Sequence, residues 1–121
     1  MKKQMRDMLK KGDFRVNGSI WVEGNGTRFF GPGPVELLQL IEETGSINQA
    51  ARKIGMSYKK AWEIVSRLNE TMGSAMVVTA TGGEKGGGST ISAEAKQMIA
   101  WYQSLREKFR KFMEQETEKI Q

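Results

Sequence analysis

The sequence contains neither cysteine nor histidine, so thiol nucleophiles, disulfides, imidazole acid–base steps and the usual zinc ligands are closed to it. Carboxylates, lysines and hydroxyls remain. Glu42 and Glu43 are the one adjacent acidic pair before the C-terminal tail, but they fall at a helix end with no catalytic partner beside them, and no enzyme is expected. The run from Gly82 to Ser89 has the glycine spacing of a phosphate-binding loop. Gly88 stands where such a loop needs its lysine, and the run lies within a ribbon instead of a strand-to-helix turn. Neither a nucleotide, a cofactor, a metal nor another small-molecule ligand is therefore expected. The chemistry that stands out is recognition, because Ser57, Tyr58, Lys59 and Lys60 set two hydroxyls beside two ammonium groups. At a helix start, where first-turn N–H groups also favour anions, such a cluster can bond phosphates and base edges.

The charge balance agrees with that chemistry. Lys and Arg number 19 against 14 Asp and Glu, a net charge of +5, which favours a polyanionic partner such as double-stranded DNA over a basic one. Ribosomal and membrane-surface proteins share such a balance, so charge alone does not decide. With 121 residues, 38% of them apolar, the chain can build one compact core but hardly two. Met1 to Lys11 is too charged for a secretory signal, and no apolar run approaches the roughly 20 residues that span a bilayer. No membrane is expected as a partner, and a cytoplasmic location is.

The elements that would position the cluster follow from local signals. Met1, Met5, Met8 and Leu9 at helical spacing among basic residues suggest a short amphipathic helix, or a solvated tail. Ser19–Glu23 and Thr27–Phe30 around Gly24-Asn25-Gly26 predict a hairpin. Pro34 suits a first helical position, Leu37, Leu38 and Ile41 supply the buried face, and Gly45 ends that helix. Ser46 with Gln49 has the form of a capping box for a helix from Ile47 to Ile54, closed by Gly55. Ser57 caps the next helix, whose inner positions are Ala61, Val65, Leu68 and Met72, with Gly73 as its stop. A strand from Ala75 to Thr79, the glycine loop and Thr90-Ile91 form a ribbon. Ser92 opens a long helix with Ala95, Met98, Tyr102, Leu105, Phe109 and Phe112 at heptad-like spacing. The fold class is α+β, mainly helical, with three regions: residues 1–33 an extension of helix and hairpin, 34–91 the central domain, and 92–121 the long helix.

Three short helices followed by a two-stranded ribbon are the order of a winged helix-turn-helix, with Ala50-Ala51 where two helices cross and Gly55 at the tight turn. Gly45-Ser46-Ile47-Asn48-Gln49-Ala50-Ala51-Arg52-Lys53-Ile54-Gly55-Met56-Ser57 resembles the start of the LysR-type DNA-binding unit. More specifically, Ser57-Tyr58-Lys59-Lys60-Ala61-Trp62 with Ala80-Thr81-Gly82-Gly83 and Gly86-Gly87-Gly88 resembles the DNA-binding domain of the ModE molybdate-dependent regulators, over about Pro34 to Leu105. The resemblance implies a transcriptional regulator in which Ser57, Tyr58, Lys59 and Lys60 open the recognition helix and Gly82 to Ser89 form the wing.

On that reading the DNA-binding set is Ser46, Asn48, Gln49, Ser57, Tyr58, Lys59, Lys60, Glu63, Arg67, Gly82, Gly83, Lys85, Gly86 and Gly87. Glu63 can accept from a cytosine amino group, although a solvated side chain or a local partner for Arg67 is the simpler expectation. Trp62 is expected to pack against the ribbon or the hairpin. ModE regulators carry oxyanion-binding domains beyond this region, and no oxyanion pocket is legible here, so direct molybdate sensing is not expected. A helix from Ser92 to about Glu118 extends roughly 40 Å, more than such a domain covers alone. A homodimer is expected through Met98, Tyr102, Leu105, Phe109 and Phe112, binding a palindromic operator, the alternative being an amphipathic helix folded back on its own domain. The alternatives are a winged-helix protein-interaction adaptor and a non-specific architectural DNA binder.

Overall fold

The computed structural model describes residues 1–80 and 88–121. Its elements are α1 (Lys3–Lys10), β1 (Val22–Gly24), β2 (Thr27–Phe30), α2 (Pro32–Thr44), α3 (Ile47–Ile54), α4 (Tyr58–Met72), β3 (Val77–Ala80), β4 (Gly88–Ile91) and α5 (Ala93–Glu118). The architecture is α+β and mainly helical, and β1 with β2 and β3 with β4 form two separate antiparallel pairs. Two units are present, residues 21–100 and residues 1–20 with 101–121.

In the first unit the hairpin turns at Asn25-Gly26, both at positive φ (52° and 80°), the backbone a two-residue hairpin requires and glycine supplies at least cost. β1 is shorter than expected and starts at Val22 instead of Ser19. Its register slips between Val22 and Glu23, which pair with Phe30 and Arg28. Trp21 lies over Gly31, where any Cβ would come within 2.3 Å of the indole, and Arg28 sits 5.2 Å from the centre of the same ring.

α2 begins at Pro32, two residues before the expected start. The first-turn N–H groups of a helix have no intrahelical acceptor, so the N–H groups missing at Pro32 and Pro34 cost nothing. Leu37, Leu38 and Ile41 are fully buried, with Phe30 and Leu68, and full burial of such side chains contributes about 1.5–3 kcal/mol each. α3 packs against α2 and α4. Ala50, Ala51 and Ala61 are at most 1% exposed, and side chains this small let helix axes approach closely.

β3 starts at Val77, not Ala75, and the cause is Asn69 near the end of α4. Its Oδ1 accepts the N–H groups of Met76 at 2.7 Å and Val77 at 3.2 Å, so the chain emerging from α4 is held by a side chain before the ladder begins. β4 is longer than expected and pairs in register from Ile91 with Val77 to Gly88 with Ala80. Ser92 then accepts the Ala95 N–H at 3.1 Å and opens α5, of 26 residues.

In the second unit Tyr102 is fully buried and its hydroxyl donates to the Ile20 carbonyl at 2.7 Å. Burial pushes that hydroxyl's pKa up, with Arg106 acting weakly against it. The Val16 N–H donates to Thr117 Oγ1 at 2.9 Å, and the Phe109 ring passes 3.5 Å from where a Gly18 Cβ would stand. Arg110 bridges Glu107 and Glu114 at 2.7 and 2.6 Å. Those bonds hold the Glu107 carboxyl below its usual range. α1 forms as the Met1, Met5 and Met8 spacing suggests, but buries no residue.

Asn69→Ala leaves two partly buried N–H groups without their acceptor and should cost about 1–3 kcal/mol, measured by urea unfolding. Asn69→Asp keeps an acceptor oxygen and should lose less. Unchanged stability in both variants would contradict the role given to Asn69.

Candidate nucleic-acid interface

The surface around Ser57 is assembled by three consecutive local devices. α2 ends at Gly45, at φ 72°, with its N–H returning to the Ile41 carbonyl at 2.8 Å. Ser46 follows in extended backbone and accepts the Gln49 N–H at 3.1 Å, which starts α3. The Ser46 N–H is taken by Thr44 Oγ1 at 3.2 Å, so the capping box is closed by Thr44 and not by the Gln49 side chain. Gly55 ends α3, and Ser57 accepts the Lys60 N–H at 3.0 Å to start α4. With the third N–H of α4 used by the cap, those of Tyr58 and Lys59 are the first-turn donors left for an anion.

The ribbon is tied to the same corner. The Ser89 N–H donates to the Gly45 carbonyl at 2.8 Å, so β4 is anchored where α2 gives way to α3. Ser89 itself is buried. A shallow depression results, lined by Gly45 to Asn48, by Thr79, Ala80, Gly88 and Ser89, and by Tyr58 and Trp62. A second runs along α4, between Tyr58 and Trp62 on one flank and Lys59, Glu63 and Arg67 on the other, with Ser66 and Glu70 further along. The start of α4, the start of α3 and the strand ends therefore share one exposed surface.

Ser46 and Asn48 meet Tyr58 in the first depression, and Tyr58, Lys59, Glu63 and Arg67 share the second. Gln49, Ser57 and Lys60 are exposed close by in sequence but line neither. Gly82, Gly83, Lys85, Gly86 and Gly87 lie outside the described residues. No ion pair joins Glu63 to Arg67 among the described residues, and Glu63 is an exposed side chain, the solvated form of the expectation. Glu42 and Glu43 instead face Lys96 at 3.8 Å and Lys53 at 3.5 Å, exposed pairs that contribute little. Lys53 is thus partly neutralised, whereas Arg52 and Lys60 stay exposed.

Trp62 shares the first depression with the ribbon residues Thr79, Ala80, Gly88 and Ser89. It is 39% exposed and stands edge-on to Tyr58, with ring centroids 6.5 Å apart. Gly88 and Ser89 belong to the run that the resemblance assigns to the wing, whereas Thr79, Ala80, Ser66 and Glu70 were not expected in this surface. The helical interval from Glu63 to Ser66 and Glu70 could have signalled the last two; the strand residues depend on pairing over a long stretch of chain.

Of the side chains expected to meet a second copy, Tyr102 is withdrawn, because it is buried in its own chain and bonded to Ile20. Met98, Leu105 and Phe109 are half-buried, and Phe112 is 54% exposed. Phe109 and Phe112 stack with centroids 6.4 Å apart. No helix among the described residues is long and apolar enough to cross a membrane.

A chain of this construction, with an exposed basic helix start beside a tethered ribbon, is similar in sequence to transcriptional regulators. It is a homologue of the ModE and MopB proteins. It is 38% identical over 93 residues to the molybdenum-pterin-binding protein MopB of Rhodobacter capsulatus, covering 77% of this chain and 34% of that one. It is 31% identical over 86 residues to the molybdenum transport protein ModE of Azotobacter vinelandii, covering 71% and 32%. With the DNA-binding transcriptional dual regulator ModE of Escherichia coli K12 it shares 36% over 77 residues, covering 64% and 29%. The chain spans about a third of the length of the curated relatives it matches. No protein-family model matches it.

A Cβ at Gly45 would meet nothing within 4 Å among the described residues, so Gly45→Ala isolates the backbone cost of a left-handed residue. It should destabilise the chain by about 1–2 kcal/mol, read by thermal unfolding, and Gly45→Asn should cost less. Equal stability of all three proteins would remove Gly45 as the constraint at this corner.

Proposed function

We propose that this chain is the DNA-binding part of a sequence-specific transcriptional regulator of the ModE type, a winged helix-turn-helix in which α4 enters the major groove and β3–β4 flank it as the wing. The observation that carries the reading is the joint exposure of Ser57, Tyr58, Lys59 and Lys60 on the first turn of α4, beside Ser46 and Asn48 and the strand ends. Cations at an exposed helix start match DNA phosphates, and an adaptor for a neutral or basic partner would gain nothing from them. The names of the relatives, which speak of transcriptional regulation and of molybdenum, support the class and suggest genes of molybdate or metal homeostasis as targets. Such a protein works in the cytoplasm, as a homodimer on a palindromic site, with Phe112 the most exposed of the large apolar side chains of α5 and Met98, Leu105 and Phe109 beside it in the heptad pattern. No enzymatic step is assigned to it.

The test is selection of bound fragments from genomic DNA by the 121-residue chain, at fixed salt, with and without molybdate. A recovered palindrome is the expected result, and sedimentation should show a dimer at micromolar concentration. Salt-sensitive binding without sequence preference would support the architectural alternative, and no binding would support the adaptor. Lys59→Ala and Lys60→Ala should each weaken binding. A lysine that reads guanine should cost about 1–3 kcal/mol with relaxed preference at one position, and a lysine on phosphate should weaken all sequences and reduce the salt slope by about 1.

A further inference from the structure

Tyr58 and Trp62 are the two large aromatic side chains of α4, 48% and 39% exposed. They lie one turn apart with ring planes at 80°, so Tyr58 braces the indole edge-on and limits its rotation. Among the described residues no acceptor takes the Trp62 indole N–H, and neither ring is needed to fill the core formed by Ala61, Val65 and Leu68. At about 100° per residue, Lys59, Glu63, Ser66 and Glu70 stand opposite that core, while Trp62 stands on the flank turned to the strand ends. Tyr58 and Trp62 are also the two residues common to both depressions. They form the ridge that separates the outer face of α4 from the corner where α3 and the ribbon meet.

We propose that Trp62 determines specificity by packing against the C5-methyl of a thymine on the wing side of each half-site, with Tyr58 holding the indole in place. The inference rests on the reading of α4 as the helix that enters the major groove. The floor of that groove presents one apolar group, the thymine methyl, against donors and acceptors elsewhere. A rigid, partly exposed indole beside a polar outer face matches that methyl and offers cytosine nothing in return.

The experiment takes a duplex recovered by the genomic selection and replaces its thymines one at a time by deoxyuridine, which removes only the methyl. Burial of one such group corresponds to about 0.8 kcal/mol, or roughly a fourfold change in affinity. The wild-type chain should lose about fourfold at one position per half-site. In Trp62→Ala that position should become indifferent to the methyl, while other thymines keep their wild-type sensitivity. Trp62→Gln, which suits an exposed helical position, gives the same readout if the alanine variant fails to fold. A wild-type chain insensitive to every replacement, or a variant with the wild-type pattern, would overturn the role of Trp62 while leaving the DNA-binding reading intact. If no duplex is recovered by the wild-type chain, the DNA-binding reading fails and this inference fails with it.

Discussion

The Gly45 carbonyl and the Ser89 N–H, 2.8 Å apart, join parts of the chain that nothing local would bring together. One residue ends α2, lets the chain turn through left-handed backbone, delivers Ser46 as the cap of α3 and holds β4 against the same corner. Each of these depends on the same few atoms being in place. A shift of the Gly45 turn would move the start of α3, and with it the contact of α3 with α4, and would also release the ribbon edge. The surface proposed to meet DNA is therefore set by a backbone constraint that carries none of the recognising side chains.

Around that corner, polar groups are spent on position before they are available for binding. Ser46 and Ser57 each satisfy a first-turn N–H, and Asn69 holds the entry to β3 with two bonds. The long side chains left outside these tasks include Tyr58, Lys59, Lys60, Trp62, Glu63, Arg67 and Glu70, all exposed. A helix with fixed caps presents them in a fixed order, which is what readout of base edges requires. Opposite charges interspersed along α4 restrain indiscriminate attraction to phosphate, so affinity must come from the helix start and discrimination from the face beyond it.

Helix ends were legible because their signals lie within a few residues: Ser46, Ser57 and Ser92 as caps, Gly45, Gly55 and Gly73 as stops. The resemblance to ModE, carried by Ser57 to Trp62 and the nearby glycines, agrees with the relatives found. What escaped the sequence depends on tertiary contact. Pro32 and Pro34 both fit the first turn of a helix, and local signals do not choose between them as its start. Asn69 reads as an ordinary exposed helical residue until Met76 and Val77 are placed beside it. The heptad spacing assigned Tyr102 to an open seam because periodicity reports which face is apolar, not what covers it, and its cover includes the segment at Ile20. Trp62 sits on the boundary between the buried and exposed sides of α4, where spacing alone cannot decide.

Amide chemical-shift mapping of the isotope-labelled chain, titrated with a selected duplex, bears most directly on the claim that α4 and its neighbouring corner form the DNA surface. The account predicts perturbations concentrated on residues 46–49, on the exposed side of residues 57–70 and at the strand ends near Ala80 and Ser89. Perturbations confined to α1 and to residues 101–121, with the first turn of α4 unmoved, would contradict it.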